Sequence, residues 1–157
     1  MKKDMVLEEK LSKSQTEWMD WLSKGEIVPY FQPILSIENK SVFGYEALGR
    51  IVFPDGSVKT MGEFFLSNQY EINTDINNFS PFRQFQRNID HKLREQSLIV
   101  LAQDPNPNSK LFINISPAIM MTYMDAANSS SKLPPTIQKV KELGISPERI
   151  VIEITED

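Results

Sequence analysis

Gly44-Tyr45-Glu46-Ala47-Leu48-Gly49-Arg50 sets an acid and a base four residues apart, directly after the apolar pair Val42-Phe43. Read alone, it is what a solvated helix face looks like, an exposed Glu and Arg at pairing distance. Its neighbours point elsewhere. Ile27 to Leu35 is rich in β-branched and aromatic residues, Ser36 to Lys40 supplies a turn, and Ser41 to Leu48 resumes the extended pattern. This is a hairpin-like antiparallel pair, which moves Glu46 and Arg50 to a strand end. Pro29 and Pro33 lack N–H donors and place the first strand of the pair at an edge or at irregular pairing.

Upstream, Leu7, Leu11, Trp18 and Leu22 recur at intervals of four and seven with polar residues between them, which predicts an amphipathic helix ending near Gly25. Downstream, Pro54-Asp55-Gly56-Ser57 is a turn, and Met61, Phe64 and Phe65 read as a short helix. From about Thr74 an apolar repeat through Phe82, Phe85, Ile89 and Leu93 predicts a long helix to about Ala102, with Pro81 marking a break or a new start. After the loop Asp104 to Asn108, Leu111-Phe112-Ile113-Asn114-Ile115 is a short buried strand. Ser116-Pro117 opens a helix whose Met120, Met121 and Met124 fill the core. Asn128 to Lys132 reads as an exposed loop. Pro134-Pro135 opens another helix, with Ile137, Val140 and Leu143 inside and Gly144 as its stop. Ser146-Pro147-Glu148 makes one turn before the strand Ile150 to Ile154. Strands joined through helices imply parallel pairing, hence an α/β sheet or barrel.

The bulk numbers bound the function. A chain of 157 residues with 40% hydrophobic content supports one domain with a real core. A net charge of −4 without a Lys/Arg cluster argues against a nucleic-acid polymer as partner, though not against a small anionic ligand. The absence of cysteine excludes disulfides, thiolate zinc sites and a cysteine nucleophile, and the single histidine, His91, reads as a surface residue. Any metal here has oxygen ligands. Neither a signal peptide nor a membrane span is legible, so a cytoplasmic protein is expected.

Three oxygen-bearing side chains fall near the ends of hydrophobic strands: Glu46, Asn114 and Glu153. In α/β barrels that end carries the active site. Two carboxylates and an amide oxygen suit Mg²⁺ or Mn²⁺, which polarises a phosphoryl oxygen and activates water for in-line attack on a phosphodiester. Taken singly, Glu153 reads more readily as an outward-facing strand residue than as a ligand. Asn114 serves a structural hydrogen bond as readily as a cation.

Four ordered segments carry a resemblance: Tyr30-Phe31-Gln32-Pro33-Ile34, Tyr45-Glu46-Ala47-Leu48-Gly49-Arg50, Leu111-Phe112-Ile113-Asn114-Ile115-Ser116-Pro117 and Ile152-Glu153-Ile154-Thr155-Glu156. Together they resemble the first four signatures of the EAL family, over about residues 26 to 157. The resemblance implies a cyclic di-GMP phosphodiesterase, opening the cyclic dinucleotide to linear pGpG, on a TIM-type (β/α) barrel whose first strand is antiparallel. It implies Glu46, Asn114 and Glu153 as metal ligands, with Glu46 catalytic. Gln32 resembles the residue that meets the nucleotide near its phosphate, and Arg50 the guanidinium that holds a phosphate oxygen, roles that suit an amide and a planar fork.

A TIM-type barrel takes about 250 residues. The expectation is therefore an incomplete barrel (26–157) behind an N-terminal amphipathic helix (1–25). The family's second half, with its paired aspartates, catalytic lysine and a further glutamate and glutamine, has no counterpart here, and no Asp-Asp pair occurs in the sequence. Hydrolysis by this chain alone is not expected. The strand at Ile150 to Ile154 is expected to leave an apolar sheet edge open to a second copy or to a missing C-terminal half. A non-catalytic cyclic di-GMP-binding or protein-interaction module is the alternative.

Overall fold

The computed structural model describes residues 13–62, 64, 81–115, 119–120, 123–124 and 133–154. Helix α1 (Lys13–Lys24) leads through Gly25 into strand β1 (Glu26–Ser36). Strand β2 (Ser41–Val52) folds back on β1 in an antiparallel hairpin, with a register shift between Ile34 and Leu35. The turn at Pro54 to Ser57 leads to a three-residue strand, β3 (Val58–Thr60), against the end of β2. Strand β3 carries no signature in the sequence, because three residues are too few to display a period of two.

Helix α2 (Pro81–Gln103) starts at the proline expected to break or begin it, since a first-turn proline has no N–H to waste. The predicted stretch from Thr74 to Ser80 lies outside the described residues, as do Leu7, Leu11, Phe65, Ser116, Pro117, Met121 and the loop at Asn128 to Lys132. Strand β4 (Lys110–Ile115) pairs parallel with β2, and β5 (Ile150–Ile154) pairs parallel with β4. Between them come α3 (Pro135–Glu142) and a single 3₁₀ turn at Pro147–Arg149. The sheet order is β1-β2-β4-β5, with β3 off that path beside β2. It is an α/β fold with a mixed sheet, open among the described residues, and β1 and β5 are its outer strands.

Alternation along the strands divides the sheet into two faces. Leu111, Ile113 and Ile115 point to one face and are buried, together with Leu98 and Leu101 of α2 and Val140 and Ile145. At the other end of the same helix, Ile89 and Leu93 join Ile27, Ile51, Met61, Phe64 and Trp18. One long amphipathic helix thus covers one face of the sheet, and α1 adds Trp18 to its core rather than standing apart. The even-numbered residues of β2 and β4 are left for the opposite face.

Two expectations about buried faces are corrected. On α3 the side chain at Ile137 is 39% exposed, and Thr136 is buried in its place. The inward stripe runs through Thr136, Val140 and Leu143, spaced four and three apart, which turns Ile137 outward. Thr136 is tolerated inside because its hydroxyl accepts from Arg94 Nε at 3.3 Å and meets the Tyr123 hydroxyl at 2.6 Å. Of the expected core methionines, Met120 packs on the core but Met124 is 53% exposed. Gly144, at φ +64°, ends the helix as expected, since left-handed backbone disfavours any side chain.

Arg149 fastens the loop before β4 to the turn before β5. Its guanidinium donates to the carbonyls of Ser109 (3.1 Å), Leu101 (3.2 Å) and Asn106 (3.1 Å). Alanine there leaves three carbonyls without their charged donor, an expected loss of about 2 kcal/mol. In thermal unfolding this is a drop of about 4–8 °C, with lysine recovering only part because it lacks the fork.

Candidate functional site

The registers place the predicted site residues on one face, because directly paired residues of neighbouring strands project the same way. Gln32 pairs with Glu46 across the hairpin, and Glu46 pairs with Phe112 of β4. Asn114 follows Phe112 by two positions and therefore shares its face. Asn114 pairs in turn with Glu153 of β5. Arg50, four positions beyond Glu46, lies on this face as well. Residues from four separate stretches of chain are assembled by register alone, on the side of the sheet that α2 leaves open.

Within this group the geometry is uneven. Asn114 Nδ2 donates to Glu46 Oε1 at 2.8 Å, joining residues 68 apart in sequence. With its nitrogen so engaged, the amide oxygen of Asn114 accepts nothing among the described residues. Glu153 stands beside Asn114 on the edge strand and is half-buried. Gln32 shares a rung with Glu46 but is exposed. Arg50 lies four residues along β2 from Glu46, about 13 Å of extended strand. Its Nη1 donates to the Gly49 carbonyl at 2.9 Å, and its guanidinium carbon sits 6.0 Å from the centre of the Tyr30 ring. Glu46 is in the middle of β2 rather than at its end. What stops near Glu46 is the pairing with β4, which runs from Gly44 to Ala47.

The Glu153 carboxyl is held above its ordinary range, first by burial, which disfavours the charged form, and second by the negative charge of Glu46. Among the described residues no group of three or more His, Cys, Asp or Glu side chains could hold a metal ion. The set here is two carboxylates and one amide oxygen, a hard-oxygen donor set of the kind Mg²⁺, Mn²⁺ and Ca²⁺ accept. Two carboxylates near enough for the Glu46 charge to bear on Glu153, with an amide oxygen on the strand between them, suit such an ion, whose charge would offset theirs.

The raised Glu153 pKa has a stability consequence with a definite sign. A carboxyl that binds its proton more tightly folded than unfolded favours the folded state at low pH. That contribution is lost as pH rises from its ordinary value, 4.5, through the raised one. Without divalent cation, Glu153→Gln is therefore expected to gain stability relative to the parent between about pH 4 and pH 7. Mg²⁺ or Mn²⁺ should raise the melting temperature of the parent and not that of the variant. Thermal unfolding across this range checks both, and parallel pH curves would contradict the first.

One residue of this face was not singled out in the sequence. Tyr30, 45% exposed, lies two positions before Gln32 and therefore on the same side. The alternation Tyr30-Phe31-Gln32 was its only signal. His91, expected at the surface, is half-buried and lines a cleft of about 230 Å³ with Arg87, Arg94 and Tyr123, away from this face.

Residues 15–157 match the family model described as EAL domain. A curated relative, the EAL-domain containing protein YkuI of Bacillus subtilis (strain 168), is 30% identical over 137 residues, covering 83% of this chain. The chain spans 28% of that relative's length. The crystal structure of Bacillus subtilis YkuI, in complex with substrate c-di-GMP and calcium, superposes with a TM-score of 0.64 at 24% identity, covering 90% of this chain and 30% of that one. An EAL domain protein from Listeria monocytogenes gives a TM-score of 0.62 at 19% identity, covering 94% of this chain and 51% of that one. No helix among the described residues is long and apolar enough to cross a membrane.

Proposed function

The chain belongs to the EAL-domain family, and from that premise we propose that it supplies the first metal ligands and phosphate contacts of a metal-dependent cyclic di-GMP phosphodiesterase. The product of that reaction is linear pGpG. The observation that carries this reading is the convergence of Glu46, Asn114 and Glu153 on one face, with the Asn114 amide already against Glu46. The Bacillus subtilis relative, whose structure holds cyclic di-GMP and calcium, supports the choice of ligand.

In this reading Glu46, Glu153 and the Asn114 oxygen hold Mg²⁺ or Mn²⁺, which when bound polarises the phosphoryl oxygen and lowers the pKa of water. The protein's own residues do the rest. The Asn114 nitrogen restrains the Glu46 carboxylate in one orientation, so less conformational freedom is lost on loading. Gln32, on the rung beside Glu46, offers a donor and an acceptor to the nucleotide near its phosphate. Arg50, four residues further along the same strand face, offers a planar charged fork to a phosphate oxygen. Two carboxylates provide for one cation. Binding of nucleotide with metal is therefore expected of this chain, while rapid hydrolysis calls for further carboxylates than the described residues bring to this face.

The test is calorimetric titration of cyclic di-GMP with Ca²⁺ present, alongside chromatography for pGpG with Mg²⁺ or Mn²⁺. Metal-dependent binding is the expected result. Binding indifferent to metal, or no binding at millimolar nucleotide, would overturn the proposal.

A further inference from the structure

Among the described residues Arg50 is held by two contacts, and neither is a carboxylate. Its Nη1 donates to the Gly49 carbonyl, and the ring of Tyr30 lies against its guanidinium at the outer limit of cation–π range. Among the described residues Arg50 makes no ion pair. A guanidinium held in this way is oriented while its charge stays available, the condition an anion subsite requires. The register explains the contact. Tyr30 pairs directly with Leu48, so Arg50 is its diagonal neighbour on the same face, within reach of an aromatic and a long side chain. Tyr30 is 45% exposed on an outer strand and belongs to neither buried cluster, so packing does not account for an aromatic there.

We propose that Tyr30 is a positioning residue for Arg50: its ring orients the guanidinium across the hairpin before an anionic ligand arrives. The proposal rests on the reading of Arg50 as a phosphate contact and adds the residue that presets it. Phenylalanine keeps the ring face and is expected to preserve the effect. Leucine keeps apolar bulk but removes the quadrupole that attracts the cation, leaving the long Arg50 side chain to sample more rotamers and to pay that entropy on binding.

The experiment is a double-mutant cycle read by calorimetry with cyclic di-GMP and Ca²⁺. Tyr30→Phe should bind like the parent. Tyr30→Leu should bind about two- to fivefold more weakly, the factor that corresponds to an exposed cation–π contact. In an Arg50→Ala background Tyr30→Leu should have no further effect, because the residue it positions is gone. An unchanged affinity in Tyr30→Leu overturns the proposal, and so does an equal loss in both backgrounds, which would make Tyr30 a direct ligand contact. If Tyr30→Leu does not fold by circular dichroism, Tyr30→Ile, better suited to a strand, takes its place. Should the parent bind no cyclic di-GMP, the phosphate reading of Arg50 fails, and the positioning is decided by NMR. The Arg50 side-chain protons should be ring-shifted in the parent and in Tyr30→Phe and unshifted in Tyr30→Leu; identical spectra overturn it.

Discussion

Glu46→Gln is expected to weaken metal-supported binding of cyclic di-GMP by about 100-fold or more, with little change in folding. The substitution separates two roles of this side chain. A glutamine oxygen still accepts from Asn114 Nδ2, so the 2.8 Å bond between β2 and β4 can persist. The negative charge is what disappears, and with it one of the two carboxylates that the described residues offer to draw a divalent cation to this face. Loss of that charge also removes the electrostatic part of the upward pressure on the Glu153 pKa, so Glu153 should titrate closer to its ordinary value in the variant. Titration with Mn²⁺ followed by nucleotide, together with the Glu153 carboxyl shift by NMR, measures both effects. An unchanged metal affinity would place the cation elsewhere.

Gly44→Val is expected to lower stability by about 2–3 kcal/mol and the melting temperature by about 4–12 °C. Strand propensity alone predicts the reverse, because valine suits an extended backbone better than glycine does. The close approach of β4 decides the sign. A Cβ at position 44 would stand 2.7 Å from the Lys110 carbonyl oxygen, 2.8 Å from Lys110 Cβ and 3.0 Å from the Phe112 ring. A flexible side-chain end could step aside, but a backbone carbonyl in a parallel ladder cannot move alone. Relief therefore shifts β4 against β2, and that shift carries Asn114 away from Glu46. Metal-dependent binding should fall together with the melting temperature, whereas Arg149→Ala, far from this face, should lower the melting temperature and leave binding intact. Thermal unfolding combined with calorimetry distinguishes the two.

Much of the fold was legible because its signals are local. Pro81 opening a helix, Gly144 closing one, the hairpin around Ser36 to Lys40 and the apolar strands at Leu111 and Ile150 each follow from residues a few positions apart. The errors came where a choice depended on what lies across a gap. Ile137 is the more hydrophobic residue, yet Thr136 is buried, because Arg94 and Tyr123 on other elements satisfy its hydroxyl. Composition assigns Met124 to the core, and packing leaves it outside. Strand β3 exists because the end of β2 offers free backbone groups to Val58–Thr60, a partner that three residues cannot announce.

The site divides in the same way. By itself the sequence determined the donor types: carboxylate, amide and guanidinium oxygens and nitrogens without thiol or a second imidazole, in four ordered segments that name a family. It also determined that Glu46 and Arg50 fall on one side, whichever of two backbones carries them. Only the tertiary structure decided that Glu46, Asn114 and Glu153 come onto one face, with Asn114 against Glu46, since a slip of one residue between β2 and β4 would send Asn114 into the helix-covered core. It alone decided that Tyr30 lies against Arg50 and that Gly44 has no room for a side chain. Register underlies all three: the first and third depend on how β2, β4 and β5, distant in sequence, align over the faces that the sheet and α2 bury together, and the second on the alignment within the β1–β2 hairpin.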